Sequence, residues 1–434
     1  MKNDLFREFS KTDKKQIHKT FYWSTKDKIK INSIYNNPGK SYKSSSTDFS
    51  KNCWIIGQIF EDEKLESSIL KAIEALKNGV SQLTFVIEND QEINPILNNR
   101  DLKNASILFY FKNYSNYSLN LNSSKNKKFL AFDILFNLVK KGNWIKSEQN
   151  DIALWKNNIL ENNQTVFIDA RIYQNAGASL IEEIAFSINH VNEYLNILEN
   201  STKEKINFEI FLNIAIGSNY FFEIAKIQTL RVLLKRIFKE YKHDLNLNIV
   251  SEPSQRNMTF FDYNNNMMRT TSSCMAAILG GSNIINNLSY DKIFNPPNDF
   301  GDRISKNQLL ILKHESHFDK IKNAIEGSFY IEKLIKKFSK ASLKKLKKIE
   351  KKGGFIECVK NNLIQKTIKK SSSHEKFLFN KNKVTLVGIN NYQDYNEKKE
   401  AFQKVKLKNK KTTVDQIITS RLAFETELKR SSHG

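Results

Sequence analysis

Short apolar segments alternate with amphipathic ones along the middle of this chain, and this alternation restricts its fold more than any other feature. Apolar residues at helical spacing follow most of the apolar runs, as at Leu65, Ile69 and Ile73. Repeated βα units require a parallel sheet that is buried on both faces. The predicted strands are 54–60, 83–87, 107–111, 165–168, 208–216, 247–250 and 284–287.

The number of these units decides between two α/β folds. Spread over about 280 residues, they suit an eight-unit βα barrel, the TIM barrel, better than an open doubly wound sheet. We therefore predict a barrel over residues 51–335. The open sheet stays as the alternative.

Two flanking regions differ from the predicted barrel. Residues 1–50 are polar and contain the aromatic run Phe21, Tyr22, Trp23, so they are expected to form an extended arm and linker. The aromatic run would be covered by its own domain or by the surface of a partner. Residues 336–434 are expected to form a basic helical extension and tail, with one late strand at 384–389 and a helix near 414–428.

The charge of the chain allows two interpretations. A formal net charge of +23 suits a protein that binds nucleic acid or an anionic membrane. However, 59 of the 69 basic residues are lysines, whereas base readout favours the planar fork of arginine. Lys, Asn and Ile all have A/T-rich codons, so compositional drift is the preferred explanation, and a basic nucleic-acid-associated protein remains an alternative. Without an apolar signal region or an apolar run of membrane-spanning length, we expect a cytoplasmic protein.

Some arginine and histidine positions are candidates for an anion site and a metal site, respectively. Five of the ten arginines fall within 231–303 and suggest either an anion site at the barrel mouth or structural ion pairs. His314, Glu315 and His317 lack the i, i+4 spacing of a helical zinc pair, so no metal site is expected. The five arginines are Arg231, Arg236, Arg256, Arg269 and Arg303.

Several short blocks carry the strongest functional signal. Residues 175–178 read Asn-Ala-Gly-Ala, and residues 217–226 read Gly-Ser-Asn-Tyr-Phe-Phe-Glu-Ile-Ala-Lys. Residues 269–271 read Arg-Thr-Thr, residues 280–281 are a glycine pair, and residues 303–307 read Arg-Ile-Ser-Lys-Asn. In this order the blocks resemble motifs of the methylmalonyl-CoA mutase family, and the first resembles its small subunits. The matching positions are Asn175, Gly177, Asn219, Glu223, Lys226, Arg231, Asp262, Arg269, Gly280, Gly281 and Arg303.

The resemblance implies a barrel that pairs with a larger catalytic chain in a heterodimer. Such a complex interconverts methylmalonyl-CoA and succinyl-CoA by adenosylcobalamin radical chemistry. The cofactor would be bound by the partner, and the acyl-CoA substrate would be met through the partner. No cofactor is expected in this chain.

Departures from the family pattern define the expected role of this chain. Val250 and Glu252 stand where active members carry a His and a Gln that contact substrate, and valine offers no hydrogen bond. An aromatic- and arginine-rich segment of active members has no counterpart near 36–60, and no flavodoxin-like cobalamin domain with a D-x-H-x-x-G motif is expected. We therefore predict a non-catalytic small subunit, whose family-motif residues are structural or line a vestigial pocket. The alternative is a catalytic acyl-CoA mutase barrel that uses a separate cobalamin-binding subunit.

Overall fold

The computed structural model places eight parallel strands in one sheet. It describes residues 22–25, 29–32, 54–62, 64–88, 93–111, 127–161, 164–202, 204–320, 323–394, 396–397 and 412–432. A separate two-stranded hairpin precedes the sheet and provides strands β1 and β2. The strands of the sheet are β3 (Ile55–Phe60), β4 (Gln82–Ile87), β5 (Ser106–Phe111), β6 (Lys128–Ala131), β7 (Thr165–Asp169), β8 (Asn207–Ile216), β9 (Asp244–Pro253) and β10 (Ile284–Asn286).

The strand order confirms the barrel. Hydrogen-bonded neighbours run β6-β5-β4-β3-β10-β9-β8-β7, so consecutive strands are neighbours and the last strand pairs with the first. Every described pair in this sheet is parallel, and Ile284 of β10 lies opposite both Ile55 of β3 and Val250 of β9. The ends of the ladder, β6 and β7, lie side by side. The sheet therefore curves into a nearly closed TIM barrel.

Helices cover the outside of the barrel. The first connections use α1 (Leu65–Lys77), α2 (Ile93–Leu97), α3 (Ile134–Lys141), α4 (Glu148–Glu161), α5 (Arg171–Asn175) and α6 (Leu180–Glu199). The later ones use α7 (Tyr220–Phe238), α8 (Asn265–Leu279) and α9 (Asp299–Leu310), which continues into a π-helical turn (Ile311–Glu315). The chain then forms α10 (Phe329–Glu350), α11 (Gly354–Lys360), α12 (Leu363–Asn380) and α13 (Phe424–Ser432).

Local sequence signals account for several of these boundaries. Asn219 caps α7 by accepting a hydrogen bond from the backbone N–H of Phe222. Ser179 and Glu182 form a capping box at the start of α6. Gly142 ends α3 in the left-handed conformation, with a φ of +75°. Short polar side chains and one glycine therefore set these helix ends.

The inside of the barrel is filled by side chains. Alternate strand residues point inward, and together they form an apolar cluster separate from the main core beneath the helices. The rings of Phe129 and Phe211 lie 4.9 Å apart, and those of Tyr110 and Phe167 lie 5.6 Å apart. The cluster is a packed layer across the barrel. Its members are Ile55, Leu108, Tyr110, Phe129, Ala131, Phe167, Phe211, Val250 and Ile284.

The described part of the N-terminal arm packs on its own domain. Strand β1 (Tyr22–Ser24) pairs antiparallel with β2 (Lys30–Asn32), and Ile31 is fully buried in the main core. Lys337 of α10 donates a hydrogen bond to the carbonyl of Lys30. Phe21 and most of residues 1–50 lie outside the described residues.

Two C-terminal predictions are wrong. The expected strand at 384–389 makes only an isolated bridge between Val387 and Asn391. The chain turns there because Gly388 has a φ of +83°, and the Asn390 side chain bonds to backbone groups that a strand would have paired. The expected helix at 414–428 begins only at Phe424.

The segment before that last helix is extended and tied to the barrel. Residues 412–423, which we name the C-terminal strap, cross the loops at the carboxyl ends of the strands. The backbone N–H groups of Ile417, Ser420 and Leu422 donate to the carbonyls of Val139, Asn175 and Arg256, respectively. These hydrogen bonds use the backbone groups that a helix would have paired internally.

Strand β6 and helix α4 are among the elements that were not predicted, and one predicted boundary falls within a helix. Strand β6 has four residues and begins at Lys128, whose Nζ donates to the carbonyls of Leu102 and Ala105 at 2.8 and 2.7 Å. Helix α4 was also missed. The predicted division between residues 335 and 336 falls inside α10, which packs against α6 and α7.

Candidate functional site at the barrel mouth

Val250 lies inside the barrel, in the apolar cluster. It sits on β9 opposite Asn213 of β8 and Ile284 of β10, with 4% of its surface exposed. Its neighbours in the cluster are aromatic and aliphatic side chains. This position offers no hydrogen-bonding group to a substrate.

Glu252 lies nearer the carboxyl end of β9 and is held by an arginine. The Nη1 atom of Arg171 lies 2.7 Å from Glu252 Oε2. The same guanidinium donates two hydrogen bonds to Asp169, with Nε and Nη2 each 2.8 Å from a carboxylate oxygen. Tyr110 donates to Asp169 Oδ2 at 3.2 Å. We name these four residues, Tyr110, Asp169, Arg171 and Glu252, the mouth network.

Electrostatics in the mouth network favour the paired, ionised arginine. Burial lowers the pKa of Arg171, but the carboxylates of Asp169 and Glu252 outweigh it and raise that pKa well above its ordinary value. Burial raises the pKa of Glu252, and the attraction of Arg171 only partly offsets this. Burial, followed by the charge of Asp169, raises the pKa of Tyr110. The four residues of the mouth network are therefore paired with one another.

Two further inward positions at the mouth carry amides. The side-chain oxygens of Asn213 and Asn286 are buried and have no hydrogen-bond partner among the described residues. Asn286 also lies so close to Gly57 on β3 that a Cβ on that glycine would overlap its amide. These amides occupy the space beside the mouth network.

Asp133 links the mouth network to the outer helices. Its Oδ2 accepts the backbone N–H of Asp169 at 2.8 Å, and its Oδ1 accepts Tyr194 Oη at 2.6 Å. His190 Nε2 lies 3.1 Å from Oδ1, and His190 Nδ1 lies 2.9 Å from Tyr173 Oη. Burial raises the pKa of Asp133, but His190 and the other donors outweigh it and lower that pKa. This cluster fixes the end of β7.

Glu223 and Lys226 form a buried charge cluster behind the barrel wall. Lys226 Nζ lies 2.8 Å from Glu183 Oε1 and 2.5 Å from Glu223 Oε2, and it donates to the carbonyl of Ala215 at 2.6 Å. All three charged side chains are buried. Burial raises the pKa of Glu183 to about 8, although Lys226 acts in the opposite direction. These family-motif residues therefore join α6, α7 and β8.

The five clustered arginines do not form a common anion site. Arg231 lies at the opposite end of the barrel, where its guanidinium binds the carbonyl of Gly281. Arg269 donates to Thr259 Oγ1 at 2.8 Å and to the carbonyl of Val387 at 2.7 Å. Arg236 lies in the last turn of α7, and Arg303 is exposed on α9. The geometry instead agrees with the alternative interpretation of the clustered arginines, that they make structural contacts within the chain.

Arg256 anchors the C-terminal extension and strap to the mouth. Its Nε lies 2.7 Å from Glu375 on α12, and its Nη1 donates to the carbonyl of Ser420 at 2.8 Å. Gly177 has a φ of +93°, and a Cβ there would lie 2.6 Å from Arg256 Nη2. Sequence reasoning missed Glu375 and Ser420, because no local pattern relates positions so far apart.

The remaining motif positions have structural environments. Ser254 donates to Asn175 Oδ1 at 2.7 Å. Asp262 has a φ of +48°, and its backbone N–H donates to Glu397. A Cβ on Gly280 would lie 2.6 Å from Ile227 Cδ1, and Gly281 has a φ of +85°. These contacts account for the residues at those positions by packing and backbone conformation.

Eight parallel strands, outer helices and polar groups at the carboxyl ends of the strands define a TIM-barrel protein of the architecture common among enzymes. The profile of the methylmalonyl-CoA mutase family matches residues 105–428, so this chain belongs to that family of isomerases. No helix in the described part of the chain has the length and apolar composition needed to cross a membrane.

Individual relatives agree with the family. The methylmalonyl-CoA mutase small subunit of Porphyromonas gingivalis is 31% identical over 237 residues, which cover 53% of this chain and 38% of that protein. The Rhizobium meliloti methylmalonyl-CoA mutase is 30% identical over 233 residues, 52% of this chain and 32% of that protein. The large subunit of Propionibacterium freudenreichii subsp. shermanii is 26% identical over 226 residues, 51% and 31% of the two chains. The matched part thus spans about a third of each of these relatives.

The family uses adenosylcobalamin, and the described residues do not fit a cobalt ligand at the mouth. Both ring nitrogens of His190 are engaged by Asp133 and Tyr173. His243 lies just before β9, at the far end of the barrel. Within the described ranges, no three His, Cys, Asp or Glu side chains converge as a metal site.

Proposed function

We propose that this chain is the non-catalytic small subunit of a heterodimeric methylmalonyl-CoA mutase. The larger subunit would bind adenosylcobalamin and interconvert methylmalonyl-CoA and succinyl-CoA. This barrel would stabilise or position that subunit. The observation that carries the proposal is the mouth of the barrel, where Val250 belongs to the apolar cluster and Glu252 is held by Arg171 at 2.7 Å.

The mouth chemistry supports the same role. A thioester substrate needs a hydrogen-bond donor near its carbonyl oxygen, and Val250 has none. The carboxylate of Glu252 accepts hydrogen bonds and is already paired with Arg171. Tyr110, which could donate, is turned to Asp169. An acyl-CoA that contacted Glu252 would have to break its buried ion pair with Arg171.

Several family-motif residues support a structural use of the retained sequence. Glu223 and Lys226 are buried in a charge cluster outside the barrel lumen, and Arg231 binds backbone at the opposite end. Their contacts within the fold are enough to explain why Glu223, Lys226 and Arg231 occupy these positions. A chain that keeps the family fold, while the polar residues at its mouth are paired with one another, fits the role of a supporting subunit.

The test is reconstitution with a longer family member that carries a D-x-H-x-x-G segment. The two chains are co-expressed and purified through a tag on this chain, and mutase activity is measured with and without it. We expect a stable complex and higher or longer-lived activity of the larger chain. Absence of a complex, with activity unaffected by this chain, would reject the proposed role.

A further inference from the structure

A concave cleft lies beside the barrel, away from the mouth network. Its volume is about 690 Å³, and it is bounded by the start of α6 and by α10 and α12. Pockets for small ligands commonly measure about 300–1,000 Å³, so this cleft is large enough for one. The Asn-Ala-Gly-Ala block borders it through Gly177 and Ala178, and the proposed function does not use it.

The rim of the cleft is basic. Lys348 and Lys352 reach it from α10, and Lys366 and Lys370 reach it from α12. These four side chains are exposed and have no hydrogen-bond or ion-pair partner within the described ranges. Four like charges around one concavity repel one another, and an anion between them would relieve that repulsion.

The carboxylates in the cleft are already neutralised. Glu182 pairs with Lys345 at 2.8 Å and accepts Ser371 Oγ at 2.6 Å. Glu375 pairs with Arg256 at 2.7 Å. The four rim lysines therefore keep their excess positive charge in the cleft.

The floor of the cleft is apolar. Leu363 is half-buried and gives the cleft apolar surface, whereas Phe186, Ile349 and Ile364 also line it but are almost fully buried. Lys345 Nζ stands 5.9 Å from the centre of the Phe186 ring. An apolar floor under a cationic rim matches a ligand with a flat ring system at one end and several phosphates at the other.

We propose that this cleft binds a nucleoside polyphosphate. The phosphates would lie among the four rim lysines and the base would lie on the apolar floor. If the lysines were only a solvated surface, they would attract anions through a diffuse field. The phosphates would then not bind preferentially at the cleft. This site is independent of the mutase reaction.

The experiment is calorimetric titration of the full chain with ATP and, separately, with inorganic tripolyphosphate at low salt. The test variant changes Lys348, Lys352, Lys366 and Lys370 to Gln. The matched control changes Lys336, Lys340, Lys344 and Lys347 to Gln; these are exposed lysines of α10 that do not line the cleft. Both variants lose four positive charges, so a general electrostatic effect cancels in the comparison.

We expect saturable 1:1 binding of ATP that is tighter than that of tripolyphosphate. The cleft variant should bind ATP about tenfold more weakly, and the control within about twofold of the unchanged chain, because only the first removes charges close to the phosphates. Equal losses in both variants, or tripolyphosphate binding as tightly as ATP, would overturn the proposal. Thermal unfolding of each variant confirms that it is folded.

Discussion

Arg171 and Glu252 face each other across the carboxyl end of the barrel, with Nη1 and Oε2 2.7 Å apart. They come from different strand ends, one just after β7 and the other on β9. Glu252 stands where active relatives are expected to carry a substrate-contacting glutamine. In this chain the position instead holds a buried ion pair.

Replacing Arg171 with Met should destabilise the fold strongly. The change leaves the buried carboxylates of Asp169 and Glu252 without a cation, which typically costs about 3–5 kcal/mol. Urea unfolding measures the loss. Adding Glu252→Gln should recover part of it, because one of the unpaired charges is then removed. If the two changes simply add, the pair is not coupled as described.

Gly177→Ala should cost more stability than Gly327→Ala. Both glycines have positive φ, +93° and +80°, so each change carries the backbone cost of about 1 kcal/mol. Only at Gly177 would the added Cβ also meet a packed group, Arg256 Nη2 at 2.6 Å. We expect an extra loss of about 1–2 kcal/mol there by chemical denaturation. Equal losses would show that the Arg256 contact adapts freely.

Glu183 should give the fold a measurable pH dependence. Its pKa is raised to about 8 because burial outweighs the attraction of Lys226. A carboxyl whose pKa is higher in the folded state takes up a proton on folding, so its contribution falls as pH rises from about 5 to about 8.

In the Glu183→Gln variant, the decline in the free energy of unfolding between pH 5 and pH 8 should shrink by more than about 1 kcal/mol. Glu161→Gln, an exposed change on α4, serves as the control. Parallel pH profiles for the unchanged chain and Glu183→Gln would contradict the assignment.

Arg256→Lys should loosen the C-terminal strap. A lysine cannot bond to Glu375 and to the Ser420 carbonyl with the same planar fork. Hydrogen exchange should therefore speed up at the amides of Ser420 and Leu422, about tenfold or more. Arg303→Lys, at an exposed arginine, should leave those amides unchanged. Unchanged exchange in Arg256→Lys would mean that the strap is held by its backbone bonds alone.

The barrel was predictable because its signals are local. Apolar runs at 208–216 and 284–287 and the cap at Asn219 could each be recognised within a few residues. Strand β6 was not predicted because it begins with Lys128, a charged residue that is unusual in a buried strand. The lysine can be buried because its Nζ donates hydrogen bonds to the carbonyls of Leu102 and Ala105. No local pattern could reveal that tertiary arrangement.

Part of the site was also predictable. Val250 and Glu252 were singled out by position within a motif, and the fold places both inward at the barrel mouth. The pairing of Glu252 with Arg171, 81 residues away, could not be predicted, because it depends on strand register. The C-terminal strap was missed for a related reason, since its residues bond to distant loops and show no periodicity.

The central claim is that the filled barrel does not bind substrate. Calorimetric titration of methylmalonyl-CoA into the purified chain tests it most directly. The apolar Val250 and the buried Arg171–Glu252 ion pair predict no saturable binding at millimolar concentration. Saturable 1:1 binding that is abolished by Gly57→Phe, a change beside the mouth, would contradict the account.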